Sequence, residues 1–143
     1  MFTQSTKKHI RYLVAAAVAL PLAAVFVGPV AFARIMKNTI DPVAIVTDNG
    51  RHLIVTGPIE CIEGQKGYLH VTVTQRTTGA VAEGRTMITC TGLTQQWEIH
   101  AAPQGKESFT EGDATAVGLA RTTDRGDADD AHQWLVNVTL VRE

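Results

Sequence analysis

Beyond position 33 this 143-residue chain has one serine, few aromatics, no cluster of basic residues and no stretch with a helical apolar period. Each shortage removes a class of function. Ser108 is that single serine, and it stands in no G-x-S-x-G setting that would present a hydroxyl nucleophile to a base. From Arg34 onward three Lys and seven Arg oppose seven Asp and seven Glu, a net charge of −4 with no basic run. Binding nucleic acid needs a basic surface that releases counterions, so that class is excluded. The H-E-x-x-H, H-x-H and C-x-x-C spacings are missing too, which removes the commonest zinc and redox motifs. Nothing in the sequence asks for a cofactor.

What is present begins at the N-terminus. Lys7, Lys8 and Arg11 precede an uncharged apolar run from Tyr12 to Phe32, and Ala31-Phe32-Ala33 stands before Arg34. That order of a cationic start, an apolar run and an A-x-A site is the pattern of a secretory signal peptide cut before Arg34. The run is also about the 20 residues a membrane-spanning helix needs, so an uncleaved anchor is the alternative. Pro21 and Gly28-Pro29 favour cleavage, because proline lacks the amide hydrogen that a helix interior requires. Under both readings the cations stay in the cytoplasm and the remainder faces outward. The expected organisation is therefore residues 1–33 as signal or anchor, 34–41 as a polar tether and 42–143 as one domain, secreted or held at the cell surface. Membrane contact is expected only through the N-terminal segment.

Two cysteines, Cys61 and Cys90, are an even count in a chain expected to meet an oxidising space, so a disulfide is the default. Closing a loop of about 30 residues contributes roughly 3–4 kcal/mol in the chain-entropy model.

The rest reads as strands. Sixteen threonines follow position 33, and β-branched residues fit a pleated surface. Val43–Thr47 and His52–Thr56 flank Asp48-Asn49-Gly50-Arg51, and Asn-Gly between two such runs predicts a hairpin with a type I′ turn. Leu69, Val71 and Val73 alternate with His70, Thr72 and Thr74; Trp97, Ile99 and Ala101 alternate with Gln96, Glu98 and His100; Trp134, Val136, Val138 and Leu140 share one face. Period-two patterns of this kind mark half-buried strands. Gly57-Pro58 is read as a bend, and Glu83-Gly84 as a break between a short edge strand and Arg85–Cys90. Seven to eight short strands with Gly and Pro between them predict an all-β fold, an antiparallel β-sandwich that is immunoglobulin-like in the broad sense, with a small barrel as runner-up.

The segments Val71-Thr72-Val73-Thr74-Gln75-Arg76, Gln95-Gln96-Trp97-Glu98-Ile99-His100-Ala101 and Ala131-His132-Gln133-Trp134-Leu135-Val136 resemble small exported proteins of high-GC Gram-positive bacteria. The resemblance spans most of the chain after Arg34. It implies export and a β-rich domain, and it carries over no catalytic or binding residue.

The candidate chemistry is sparse. Glu98 and His100 lie two residues apart on one strand and so share a side, giving two ligands where a zinc site needs three or four. The loop Asp124-Arg125-Gly126-Asp127-Ala128-Asp129-Asp130 offers Asp124, Asp127, Asp129 and Asp130 to calcium, although the D-x-[DN]-x-[DN]-G order and a distal bidentate Glu are missing. Asn137-Val138-Thr139 matches a glycosylation sequon but lies in a strand. The leading expectation is thus a non-catalytic exported module that binds a protein or surface ligand. One alternative is a hydrolase or metal-dependent enzyme that uses Glu98, His100 and the 124–130 loop. The other is an inhibitor of exported enzymes that works through a loop such as 63–67.

Overall fold

A computed structural model describes residues 34–123 and 130–143. The expected signal segment with its Ala31 and Ala33 cleavage site, and Asp124, Asp127 and Asp129 of the acidic loop, lie outside the described residues. Eight strands follow one another: β1 (Ile35–Asn38), β2 (Val43–Thr47), β3 (His52–Cys61), β4 (Lys66–Gln75), β5 (Ala80–Thr89), β6 (Thr94–Pro103), β7 (Gly112–Thr123) and β8 (Asp130–Arg142). Among the described residues no helix is long and apolar enough to cross a membrane.

Among the described residues the all-β expectation holds, and the strands number eight. Their connection corrects the immunoglobulin-like sandwich. The order β3-β2-β8-β7-β4-β5-β6 returns to β3 through a β3–β6 ladder, so seven strands form one closed barrel with β1 as an extra strand on β3. Every pairing is antiparallel except β2 with β8, which run parallel from Val43↔Thr139 to Val46↔Arg142. A sandwich keeps two sheets with free edges. Here that parallel ladder gives the last edge a partner, and closure removes the unpaired backbone groups that edges expose.

The hairpin expected at Asn49-Gly50 forms, with Ile45↔Ile54 and Thr47↔His52 in register. Arg51 N–H donates to Asp48 O, and Asn49 and Gly50 between them both have positive φ, 54° and 83°. Those are the central positions of a type I′ turn, where glycine carries no steric cost. Gly50 is needed for space as well, since a Cβ there would lie 2.1 Å from Phe109 O.

The upstream arm of this hairpin is longer than the sequence indicates. Residues 34–41, expected as a tether, contain β1, which pairs antiparallel with the far end of β3 through Asn38↔Ile59 and Ile35↔Cys61. Between β1 and β2 the chain stays on β3, with Asp41 N–H bonded to Thr56 O. Pro42 then turns the arm toward β8, where its carbonyl accepts the Thr139 N–H. The register on β3 changes between Asn38↔Ile59 and Ile45↔Ile54, and the arm divides there into two strands.

Inside, alternate residues fill the barrel: Leu53, Val55 and Ile59 of β3, Leu69, Val71 and Val73 of β4, Trp97 and Ile99 of β6, Val138 and Leu140 of β8. Each such side chain removed from water contributes about 1.5–3 kcal/mol. β7 supplies the small partners, Ala114, Ala116, Gly118 and Ala120, and so makes room for the larger residues. Two glycines read as breaks serve the same end. A Cβ on Gly84 would come 2.3 Å from the Ile99 side chain, and one on Gly57 2.6 Å from the Trp97 ring. β5 and β3 therefore run through these glycines unbroken.

The two ends are closed differently. At the hairpin end Phe109 is buried, its N–H bonded to Gly50 O, while buried Gln75 donates to Thr110 O and accepts the Thr110 N–H. At the other end Cys61 and Cys90 are joined by a disulfide, and Cys90 N–H donates to Gln65 O. Trp97 is 1% exposed, whereas Trp134, on the apolar face of β8, is only half-buried near the second end.

Candidate functional site

Because the barrel is filled by its own side chains, chemistry directed at other molecules belongs to the outer faces of the strands. Two of those faces are distinctive, and they lie on different parts of the wall.

The first spans β5, β4, β7 and β8. Outward residues form a checkerboard set by register: Tyr68 stands between Met87 and Arg121, and His70 between Arg85 and Leu119. Cations thus occupy one diagonal and apolar side chains the other. Leu135 continues the apolar diagonal from its place opposite Val117. Leu135 is 66% exposed, Met87 56%, Tyr68 44% and Leu119 38%. Scattered exposed apolar residues are ordinary, but neighbouring ones that make a band are informative. A cleft of about 460 Å³ lies along it, lined by Tyr68, His70, Arg85, Leu119 and Arg121 among others. Among the described residues Arg85 has no ion-pair partner. His70 Nε2 lies 3.7 Å from Glu83, beyond hydrogen-bond range, and has no hydrogen-bond partner among the described residues.

The second face spans β3 and β6 and is polar. Glu98 Oε1 lies 2.6 Å from His100 Nε2, and His100 Nδ1 lies 2.8 Å from His52 Nε2. The two imidazoles meet edge to face with centroids 5.0 Å apart. Further along, the Asp41 carboxylate accepts from Thr56 Oγ1 at 2.7 Å and from Gln96 Nε2 at 2.6 Å. Glu98 and His100 share a side as their spacing predicts. His52 is the residue that sequence reading missed, since it joins the pair only through the β3–β6 ladder, diagonal to His100 beside Ile54↔His100. The one signal in the sequence is that His52 begins a strand in alternation with apolar Leu53 and Val55.

The other candidates fall elsewhere. Asp130, the described member of the acidic loop, accepts the Ile35 N–H and lies 3.2 Å from His132 Nε2. Ile35 pairs with Cys61 at the end of β3, whereas His100 pairs with Ile54 near its start. Seven residues of strand, about 23 Å, separate those two positions. The structure therefore does not bring Asp130 to Glu98 and His100. Ser108 is half-buried beside Gly50 and is not a hydrogen-bond partner of either imidazole. Asn137 is exposed on β8, opposite Thr115. No protein-family model and no curated protein sequence matches the chain.

Proposed function

We propose that this chain is an exported, non-catalytic binding module whose β5-β4-β7-β8 face holds an extended segment of a partner protein that presents a carboxylate beside an apolar side chain. The observation that carries this reading is the diagonal order of Arg85 and Arg121 against Met87, Tyr68, Leu119 and Leu135 on the outside of a barrel with a filled interior. A carboxylate on Arg85 forms a charge-assisted hydrogen bond, and an apolar neighbour covers the Tyr68–Leu119 floor. The cleft has the size of a small ligand pocket, enough for one or two side chains.

Export is supported by the cationic start, the apolar run and the A-x-A site, and by the Cys61–Cys90 disulfide, which persists in oxidising compartments. The resemblance to exported proteins of high-GC Gram-positive bacteria points the same way. Mass spectrometry of the exported protein is expected to find an N-terminus at Arg34, and a membrane-held chain that begins at Met1 overturns cleavage.

Panning a random peptide display library on the immobilised full chain tests the binding reading. The expected peptides carry Asp or Glu next to an aliphatic or aromatic residue and bind Arg85→Glu or Leu119→Lys at least tenfold less well, with the circular dichroism of both variants unchanged. Peptides without acidic preference, or with equal affinity for wild type and both variants, overturn it.

A further inference from the structure

The geometry points to a binding site for a borderline transition-metal ion, Cu(II) first and Ni(II) or Zn(II) after it, between His52 Nε2 and His100 Nδ1, with Glu98 as the positioning residue behind His100. This goes beyond the peptide-binding face, which it does not use. Glu98 is the starting point. As a carboxylate it accepts the proton on His100 Nε2 at 2.6 Å, and a neutral imidazole that is protonated on one nitrogen carries a lone pair on the other. His100 Nδ1 is therefore an acceptor, and it is aimed at His52 Nε2 at 2.8 Å. In the metal-free protein His52 supplies the proton of that bond. For a cation to enter, His52 shifts its proton to Nδ1, a tautomer change with no net loss of protons, and both facing nitrogens then offer lone pairs. Two imidazole nitrogens bound to one metal at its usual bond length stand about 2.9–3.4 Å apart, so the nitrogens separate by a few tenths of an ångström while each ring turns to aim its lone pair at the metal instead of at the other nitrogen. Both side chains sit on the outer face of the barrel, where turning a ring costs little packing.

The carboxylate–imidazole–metal order is the outer-shell arrangement that fixes the tautomer and raises the basicity of a ligating histidine. Among the described residues no three His, Cys, Asp or Glu side chains form a cage, so the two imidazoles are the protein ligands and solvent fills the remaining positions. An open site with two nitrogen ligands follows the ordinary affinity order of first-row divalent ions, which places Cu(II) highest.

Titration of the full chain with Cu(II) in a non-coordinating buffer, read by calorimetry and by electron paramagnetic resonance, tests the site. One equivalent is expected, with hyperfine structure from two nitrogens. His52→Ala and His100→Ala are each expected to weaken binding at least tenfold and to leave one coupled nitrogen. Glu98→Gln is expected to weaken binding about tenfold, the lower end of outer-shell effects, while the two-nitrogen signature persists at saturation, and Glu98→Asp restores part of the loss. His9→Ala, His70→Ala and His132→Ala are expected to bind as wild type. The assignment fails if the His52→Ala/His100→Ala double variant binds Cu(II) like wild type, or if millimolar Cu(II) gives no binding to the folded protein. Because peptide capture is read separately, failure of one reading is distinguishable from failure of the other.

Discussion

The β3–β6 wall and the β5-β4-β7-β8 wall present the same kind of inner surface and opposite outer ones. Both point alternate Val, Leu, Ile and Ala residues inward. Outward, the first displays His52, His100 and Glu98 bonded in one chain and Gln96 and Thr56 bonded to Asp41 further along, and the second displays Tyr68, Met87, Leu119 and Leu135 beside cations. The inner face is dictated by closure, since a barrel of this size leaves its centre to side chains. The outer face is free of that demand, so its composition reports what the molecule meets. The walls also differ in how they are joined. β4 pairs with β5 and β7 along nearly its whole length, whereas β5 and β6 pair only at Ala82↔Pro103 and Glu83↔Ala102. Beyond that point the strands part, and Gln95 bridges the gap by donating to Thr89 O and accepting the Thr91 N–H.

The largest expected effect comes from cutting the covalent tie between the walls. Cys61 ends β3 and Cys90 follows β5, so their bond spans the end at which the β5–β6 seam is open. Reduction, or Cys61→Ala with Cys90→Ala, is expected to lower stability by about 3–4 kcal/mol in the chain-entropy model, read by urea unfolding. Coincident curves with and without reductant would mean that the ladders alone hold the walls together.

Next come two glycines that play equivalent parts on the two walls. Gly57 lies opposite Trp97 and Gly118 opposite Trp134. A Cβ on Gly57 meets the Thr39 carbonyl at 2.2 Å and the fully buried Trp97 ring at 2.6 Å, and the backbone oxygen cannot move without breaking the β1–β2 arm from β3. The atoms nearest a Cβ on Gly118 belong to the Trp134 ring, at 2.6 Å, and that ring is half-buried and can swing outward. Overpacking costs about 1–3 kcal/mol, so Gly57→Ala is expected near the top of that range and Gly118→Ala near the bottom, by thermal or urea melts. Equal losses would show that Trp134 is as tightly held as Trp97.

Much of this fold is legible in the sequence, and what is hidden has a common cause. Alternation at Leu69-Val71-Val73 and at Trp97-Ile99-Ala101 names the inner faces, and Asn49-Gly50 names the hairpin, because those signals are local. Closure is not local. The parallel pairing of Val43–Val46 with Thr139–Arg142 joins residues nearly a hundred positions apart, and no turn chemistry announces it. Glycine is ambiguous for the same reason: Gly57 and Gly84 look like breaks until Trp97 and Ile99 arrive from a distant strand to occupy the space above them. The candidate sites follow this division. Glu98 and His100 are visible as an i, i+2 pair, but His52 is 48 positions from His100. The Tyr68–Leu119 band exists only where β4 and β7 lie side by side.

The smallest expected effect on stability tests the comparison most directly. Leu135 is 66% exposed on one wall, and the His100 side chain is 54% exposed on the other. Substitutions at such positions normally change stability by no more than about 0.5 kcal/mol, so Leu135→Ser and His100→Ala are both expected to melt like wild type. Their losses of function are expected to separate. Leu135→Ser removes apolar surface from the band and should lower affinity for the selected acidic peptides several-fold, with Cu(II) binding unchanged. His100→Ala removes a metal ligand and should leave the peptides bound as before. The β3–β6 ladder connects to the other wall through the short β5–β6 pairing, the β2–β8 ladder, the Gln95 bridge and the Cys61–Cys90 disulfide, and none of these carries His100 or Leu135. A substitution confined to an outer side chain on one wall leaves those links in place. If either substitution impairs both activities while the melting curve holds, the two faces act as one surface, and the division of labour between the walls is wrong.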